Sequence, residues 1–300
     1  MPEEVSKELR IAYITAHRVR WTVAEQCRTL GVSEAGYYKH LRREGRPDRH
    51  APLLAQIKAC FQEDAENANY GVGRIVSWLR MQRGFKGSER TVRRVCQANG
   101  LMIHPKRKPN GITKADREAQ KSENLIKQDF TAEVPNLKWL TDITEIPCKD
   151  AKLYLSPVLD CYDGSIVGYQ MDTSMHAELC VGSFEQACRR TGASGMVLHS
   201  DRGSQYTSRK FRDALAKRGA VQSMSGTGRC YDNARMESFF ATLKKEKLYQ
   251  MDTRQLTAAE VASIVVRYIA YYNLRRIYTT NGGWPPAVWR KMYLERLSAA

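Results

Sequence analysis

The sequence predicts an α/β domain, a mixed sheet flanked by helices, preceded by all-α helix-turn-helix units. Three observations carry this. Residues 20–104 hold capped, helix-periodic runs set around short turns. From about residue 135 the pattern changes to short apolar and β-branched runs, which then alternate with helical ones. Between them lies a polar stretch broken by Pro105, Pro109 and Gly111, without apolar periodicity. The resulting division is 1–48, a helix-turn-helix unit; 49–104, a second helical, helix-turn-helix-like unit; 105–130, a basic linker; 131–250, the α/β core; and 251–300, a C-terminal helical extension.

In the first unit Thr22 and Glu25 have capping-box spacing, and Val23, Ala24, Cys27 and Leu30 recur at helical intervals. Gly31-Val32-Ser33 makes the turn. Ser33 caps the helix EAGYYKHLRR, which offers Tyr37, Tyr38, Lys39, Arg42 and Arg43 to a DNA groove. In the second unit YGVGRIVSWLR forms one helix. SERTVRRVCQANGL forms another, capped by Ser88 and stopped near Gly100. Val92, Val95 and Cys96 point one way on it, while Arg90, Arg93 and Arg94 make a basic stripe that is either a DNA contact or a solvated face. Lys106-Arg107-Lys108 in the linker poses the same alternative.

In the core, KWLTDITEIP and KLYLSPVLDCY are strands separated by Lys149-Asp150, and SIVGYQMD follows the Asp163-Gly164 turn. Residues 176–191 are helical, MVLHSD is a buried strand, and SRKFRDALAKRG is a helix ended by Gly219. A short strand, AVQSMS, precedes a long helix from Asp232 to about Lys247, and a further helix runs from about 257 to 275.

Composition bounds the function. With 300 residues, 42% hydrophobic and 27% charged, the chain is globular and long enough for two or three domains. No apolar run approaches the ~20 residues that span a bilayer. The N-terminus MPEEVSKELR is polar and acidic, not a signal peptide, so a cytoplasmic, nucleoid-associated location is expected. The net charge of +16 favours a polyanionic partner, and about +10 of it lies in residues 1–130. The eight cysteines form no Cys-x-x-Cys pair, which argues for reduced thiols over structural zinc.

Three acids stand out by position. Asp142 lies inside the first strand, Asp201 where a buried strand runs into a loop, and Glu237 in the first turns of a helix. Strands disfavour Asp, and a carboxylate there is costly unless something pairs with it. Mg²⁺ or Mn²⁺ would pair with it, being hard cations that take oxygen ligands. Two such ions about 3.5–4 Å apart stabilise the attacking and leaving oxygens of displacement at phosphorus. Glu145 is an odd number of residues from Asp142 and so faces the other way. Asp160 and Asp163 read as structural turn residues.

The strings around these acids, HSDRGSQY, the YDNA run and MESFF, occur in order. Over roughly residues 50 to 290 the chain resembles bacterial insertion-sequence DDE transposases of the OrfB type, whose core is similar to retroviral integrases. The family signature is Asp, Asp, then Glu after 35 intervening residues; here 35 lie between Asp201 and Glu237, and 58 between Asp142 and Asp201. The resemblance implies an RNase H-like catalytic core with Asp142, Asp201 and Glu237 as metal ligands. It also implies cleavage at element ends and strand transfer by a 3′-hydroxyl. Double-stranded DNA and a homo-oligomer on that DNA are the implied partners, with an upstream-frame protein or fusion partner as a further one. A non-catalytic regulator of transposition, or a nuclease of the same fold, is the alternative. The intact triad argues against the first and the two basic helical units against the second.

Neighbouring residues divide by role. Asn233 sits one turn before Glu237, where it orients a phosphate or carboxylate or caps the helix, and Lys244 lies two turns after it. Arg202 and Gln205 follow Asp201 in a loop that can reach DNA. His199 reads as a core or supporting residue. In YYNLRRIYTTNGGWPPAVW the order Tyr-Asn, Arg-Arg, Pro fits the family, although Ile277 and Asn281-Gly282-Gly283 depart from its usual ending. Arg275 and Arg276 are expected phosphate contacts, and Tyr271, Tyr272 and Trp284 core residues.

Overall fold

A computed structural model describes residues 5–44, 48–103, 123–226 and 230–299. The Lys106-Arg107-Lys108 cluster and the side chain of Arg43 lie outside what is described. The chain divides into two compact units, Met1–Ala55 and Gln56–Ala300.

The first unit carries α1 (Lys7–His17), α2 (Val23–Thr29) and α3 (Glu34–Glu44). Both halves of the Thr22–Glu25 capping box form, Gly31 takes the positive φ of 65° that the turn requires, and Ser33 Oγ accepts from the Gly36 N–H. Helix α1, capped by Ser6, was not expected from the sequence; it supplies Ile11 and Ile14 to a core shared with Cys27, Val32 and Tyr37. Tyr37 is therefore corrected: it is 1% exposed and supports the helix from within, while Tyr38, Lys39 and Arg42 are exposed.

Helix α4 (Ala51–Glu63) runs across the division, followed by α5 (Val72–Arg83) and α6 (Glu89–Ala98). Ser88 caps α6 through the Thr91 N–H. Val92, Val95 and Cys96 are buried and Arg90, Arg93 and Arg94 exposed, as the spacing predicts.

The sheet holds β1 (Lys138–Thr141), β2 (Thr144–Pro147), β3 (Lys152–Asp160), β4 (Ile166–Asp172), β5 (Val197–Ser200) and β6 (Val221–Met224). Strands β1 and β2 pair antiparallel with β3 in one unbroken register, from Trp139 opposite Asp160 to Pro147 opposite Lys152. They are one edge interrupted at Asp142 and Ile143. Asp142 is thus not inside a strand, as expected, but in the gap. Extending the register places it opposite Pro157, which has no N–H for the ladder. β4 joins the other edge of β3, and β5 and β6 follow β1 in parallel. This mixed, RNase H-like sheet flanked by helices is the predicted fold class.

Helix α7 (Ala177–Thr191) lies on β4, where a Cβ on Gly168 would stand 2.5 Å from the Ser183 carbonyl oxygen; only glycine permits that approach. α8 (Ser204–Thr207), α9 (Arg209–Lys217), α10 (Ala234–Glu246), α11 (Ala258–Leu274) and α12 (Pro286–Ser298) complete the unit. Trp139, Phe184, Leu198, Tyr206 and Phe211 lead its core. The described cysteines are free thiols, and among the described residues no helix is long and apolar enough to cross a membrane.

Asp160 and Asp163 are structural. Their side chains are 0% exposed, and Arg290 of α12 lies 2.6 Å from each. Asp160 also accepts from Trp139 Nε1 at 3.2 Å and the Asn136 N–H at 2.7 Å, so it binds β1 and α12 together. Replacing Arg290 by Gln should destabilise the unit by about 3–5 kcal/mol, because two buried carboxylates lose their counterion. Urea denaturation measures this, and a loss below about 1 kcal/mol would disprove the role.

Candidate active site

Two acids follow the ends of adjacent strands, Asp142 just after β1 and Asp201 just after β5. In the parallel β1–β5 pair, Leu140 stands beside His199; continued two residues, that register sets Asp142 beside Asp201. The 58-residue interval therefore has a meaning in space, since level residues of parallel neighbours face the same side. Asp142 accepts from the Ile143 N–H at 2.8 Å and Asp201 from the Gly203 N–H at 3.0 Å.

The third acid arrives on α10. Asn233, just before that helix, donates through Nδ2 to the Thr141 carbonyl at 3.2 Å, pinning the helix start to the end of β1. Its side chain does not cap α10, and its Oδ1 is buried without a protein partner. Glu237, one turn on, is exposed but acts electrostatically on Asp142.

The grouping is costly for Asp142. Burial pushes the Asp142 carboxyl up to about 7; Asp201 and Glu237 add to the rise, while the Ile143 N–H and Lys244 oppose it. Burial also raises Asp201, against the Gly203 hydrogen bond. Burial lowers Lys244, against the pull of Asp142. Among the described residues no three acidic, histidine or cysteine side chains are drawn tightly enough to hold an ion as they stand. The donor set, all oxygen with one flanking ammonium, fits a hard divalent ion and little else.

The other expected site residues scatter. Arg202 Nε donates to the Ser225 carbonyl at 2.6 Å, and Gln205 Nε2 to that of Met175 at 3.2 Å. Both are half-buried beside Asp201. Arg93 pairs with Glu89 at 2.8 Å, and exposed Arg275 with Asp64 at 2.9 Å. Arg276 is corrected: it is 4% exposed and makes two 2.8 Å bonds to Glu246, so it sits in a buried ion pair and not free on the outer surface. Asn233, at 5% exposure and bound to Thr141, is likewise removed from free DNA contact. His199 is a core residue between Ser223 and Ser225, with a pKa lowered by burial to about 4. Tyr271 and Tyr272 are buried as expected; Trp284 is not, at 36% exposure.

One supporting residue escaped the sequence reading. Asp232, 1% exposed, accepts from Asn124 Nδ2 at 2.9 Å, Gln128 Nε2 at 3.0 Å and the Gly226 N–H at 2.8 Å. It ties the entry segment of the core to the approach of α10. The YDNA run was the signal, overshadowed by its neighbour Asn233.

Residues 132–230 match the family model described as "Integrase core domain", and residues 218–286 match a second model of that description. Residues 48–109 match "HTH-like domain". A probable transposase for insertion sequence element IS1353 of Shigella flexneri is 33% identical over 291 residues, covering 96% of this chain and 56% of its own length. A transposase for IS150 of Escherichia coli K12 is 32% identical over 275 residues, 91% of this chain and 95% of that one. The transposase for IS3 of the same strain is 30% identical over 285 residues, 93% and 97% respectively. Among solved structures, the HTLV-2 integrase catalytic core domain in complex with magnesium aligns with a TM-score of 0.44 at 16% identity, over 53% of this chain and 98% of that one.

Asp142 holds its proton more tightly folded than unfolded, where a carboxyl titrates near 3.9. Its stabilising contribution is full below that pH and is lost as pH rises through about 7. Without metal, the melting temperature should therefore fall between pH 5 and pH 8. Asp142→Asn should be more stable than wild type at pH 8 and should flatten the profile. Parallel profiles for the two proteins would refute this assignment.

Proposed function

The chain belongs to the insertion-sequence transposases, and on that premise we propose that Asp142, Asp201 and Glu237 form its DDE centre, cutting DNA at element ends and joining the ends to a target. The observation that supports the reading is the parallel pairing of β1 with β5, whose ends lead directly into Asp142 and Asp201, with Asp201 and Glu237 both raising the Asp142 carboxyl. The three acids would hold Mg²⁺ or Mn²⁺, with two ions per site as the working number. The ions supply charge stabilisation at the attacking and leaving oxygens of an in-line displacement.

The chemistry balances in two displacements. Water attacks the phosphorus at an element end, a P–O bond forms, and the bond to the 3′ oxygen breaks, leaving a 3′-hydroxyl. That hydroxyl attacks a target phosphodiester, whose own 3′ oxygen leaves with the proton. The residues of this chain position these events. Asn233 fixes the carbonyl next to Asp142, Lys244 supplies a cation beside that carboxylate, and Arg202 and Gln205 flank Asp201 at the loop where a strand would pass.

DNA capture falls to the basic helices. Lys39, Arg42 and Arg43 belong to the first helix-turn-helix unit, 1–48, and Arg90, Arg93 and Arg94 to the second, 49–104; Arg275 adds to the core and its extension, 131–250 and 251–300. Backbone phosphates are their natural ligands. Two element ends must meet, so the working form is a homo-oligomer on double-stranded DNA, acting at the bacterial nucleoid.

A strand-transfer assay with labelled element ends and Mg²⁺ tests the centre. Glu237→Gln should abolish joined products while DNA binding is retained. Binding without nicking or joining by the wild type, in Mg²⁺ and Mn²⁺ alike, would overturn the enzyme reading in favour of a non-catalytic regulator.

A further inference from the structure

Helix α10 has a second functional face. Glu237 and Lys244, seven residues apart, share the side that acts on Asp142. Arg235, Ser238 and Thr242 recur at i, i+3 and i+7 on a different side, where they line a recess of about 200 Å³ with Arg74, Arg276 and Thr280. This volume lies below the about 300–1,000 Å³ of pockets for drug-sized ligands. At about 30 Å³ per water it admits a compact ion with a few waters.

Charge decides what kind of ion. Three arginines line the recess, and Glu246 is the carboxylate that pairs with two of them. It is shared, with Arg74 at 2.7 Å and Arg276 at 2.8 Å. Arg235 spends its bonds on neutral groups, donating to the Phe130 carbonyl at 2.6 Å and also to the Cys161 carbonyl. The arginines lining the recess outnumber that carboxylate by two, and the hydroxyl-bearing Ser238, Thr242 and Thr280 line the same space. Guanidinium forks and hydroxyl donors around a small polar space match the geometry of a tetrahedral oxyanion.

We propose that this recess is a phosphate-binding site, separate from the three acids, that takes a single phosphate group carried by a DNA strand or free in solution. The site joins α5 of the second helical unit to α10 and to the segment after α11. A phosphate bound there would fasten those elements behind the acidic face. The inference does not depend on the acids being catalytic.

The test uses the full chain, with inorganic phosphate as the probe and chloride of equal ionic strength as the blank. Calorimetry should show phosphate binding to the wild type and to Glu237→Gln alike, so a failed catalytic reading leaves this one standing. Ser238→Glu sets a carboxylate at the mouth from an exposed helix position and should weaken phosphate binding at least ten-fold. Ser263→Glu, the same charge change on an exposed face of α11, should not. The salt dependence of binding to a short duplex identifies the source. If a strand phosphate occupies the recess, the slope of log Kobs against log salt should fall by about 0.9 more in Ser238→Glu than in Ser263→Glu. If the source is free phosphate, the two slopes coincide while phosphate binding still differs. Wild type that takes up phosphate no better than chloride, or equal phosphate affinity in the two variants, would overturn the proposal.

Discussion

The constraint on which this structure turns is the crowding of carboxylates at the ends of two parallel strands. The β1–β5 register, continued past the strand ends, brings Asp142 and Asp201 out of the sheet side by side. Burial and mutual repulsion drive Asp142 up to about 7. The surrounding structure holds the groups there despite that cost. Pro157 opens the ladder opposite Asp142, the Asn233 amide holds the Thr141 carbonyl, and Asp232 anchors the segment leading into α10. A perturbed carboxyl held from several sides marks a candidate functional site.

Helix α10 links this site to the rest of the second unit. One side presents Glu237 and Lys244 toward Asp142. At its far end Glu246 receives Arg74 from α5, Arg276 from beyond α11, and the Tyr268 hydroxyl at 2.7 Å. Burial alone would raise the Glu246 carboxyl, but those partners hold it below the usual carboxylate range. Lys247 with Glu66, and Tyr271 with Asn67 at 3.0 Å, add bonds between the same elements. A shift of the helical elements around α10 must therefore be felt at the helix that carries Glu237, since packed elements move as bodies.

What was legible in the sequence follows from how local each signal is. Caps and turns were readable because Thr22, Glu25, Ser33 and Ser88 act within three residues of themselves. The strand and helix order of the core was readable from periodicity, and the two aspartates from their strings. The gap at Asp142 was not, because it depends on Pro157 standing opposite, a matter of register. Helix α1 was missed because it buries little beyond Ile11 and Ile14 in an otherwise mixed run. Arg275 and Arg276 look alike as a doublet, yet one is exposed and the other is enclosed by a glutamate thirty residues earlier. Tyr37 and Tyr38 divide in the same way, since a helix turns one inward and the next outward.

The acids with arginine partners contrast with the strand-end pair, and the contrast bears on function. Asp160, Asp163 and Glu246 each receive an arginine fork fixed by the fold. Such pairs give little net stability over apolar packing, but they specify which elements meet. Asp142 and Asp201, no less committed by the backbone, receive hydrogen bonds from the N–H groups of Ile143 and Gly203. The cation that acts on Asp142 is Lys244, whose own charged form burial disfavours. The strand-end pair thus meets backbone N–H groups and one weakened ammonium where Asp160, Asp163 and Glu246 meet guanidinium groups. Oxygen donors left in that setting are of the kind a hard divalent ion takes, and this separates the two strand-end aspartates from the arginine-paired acids of the domain.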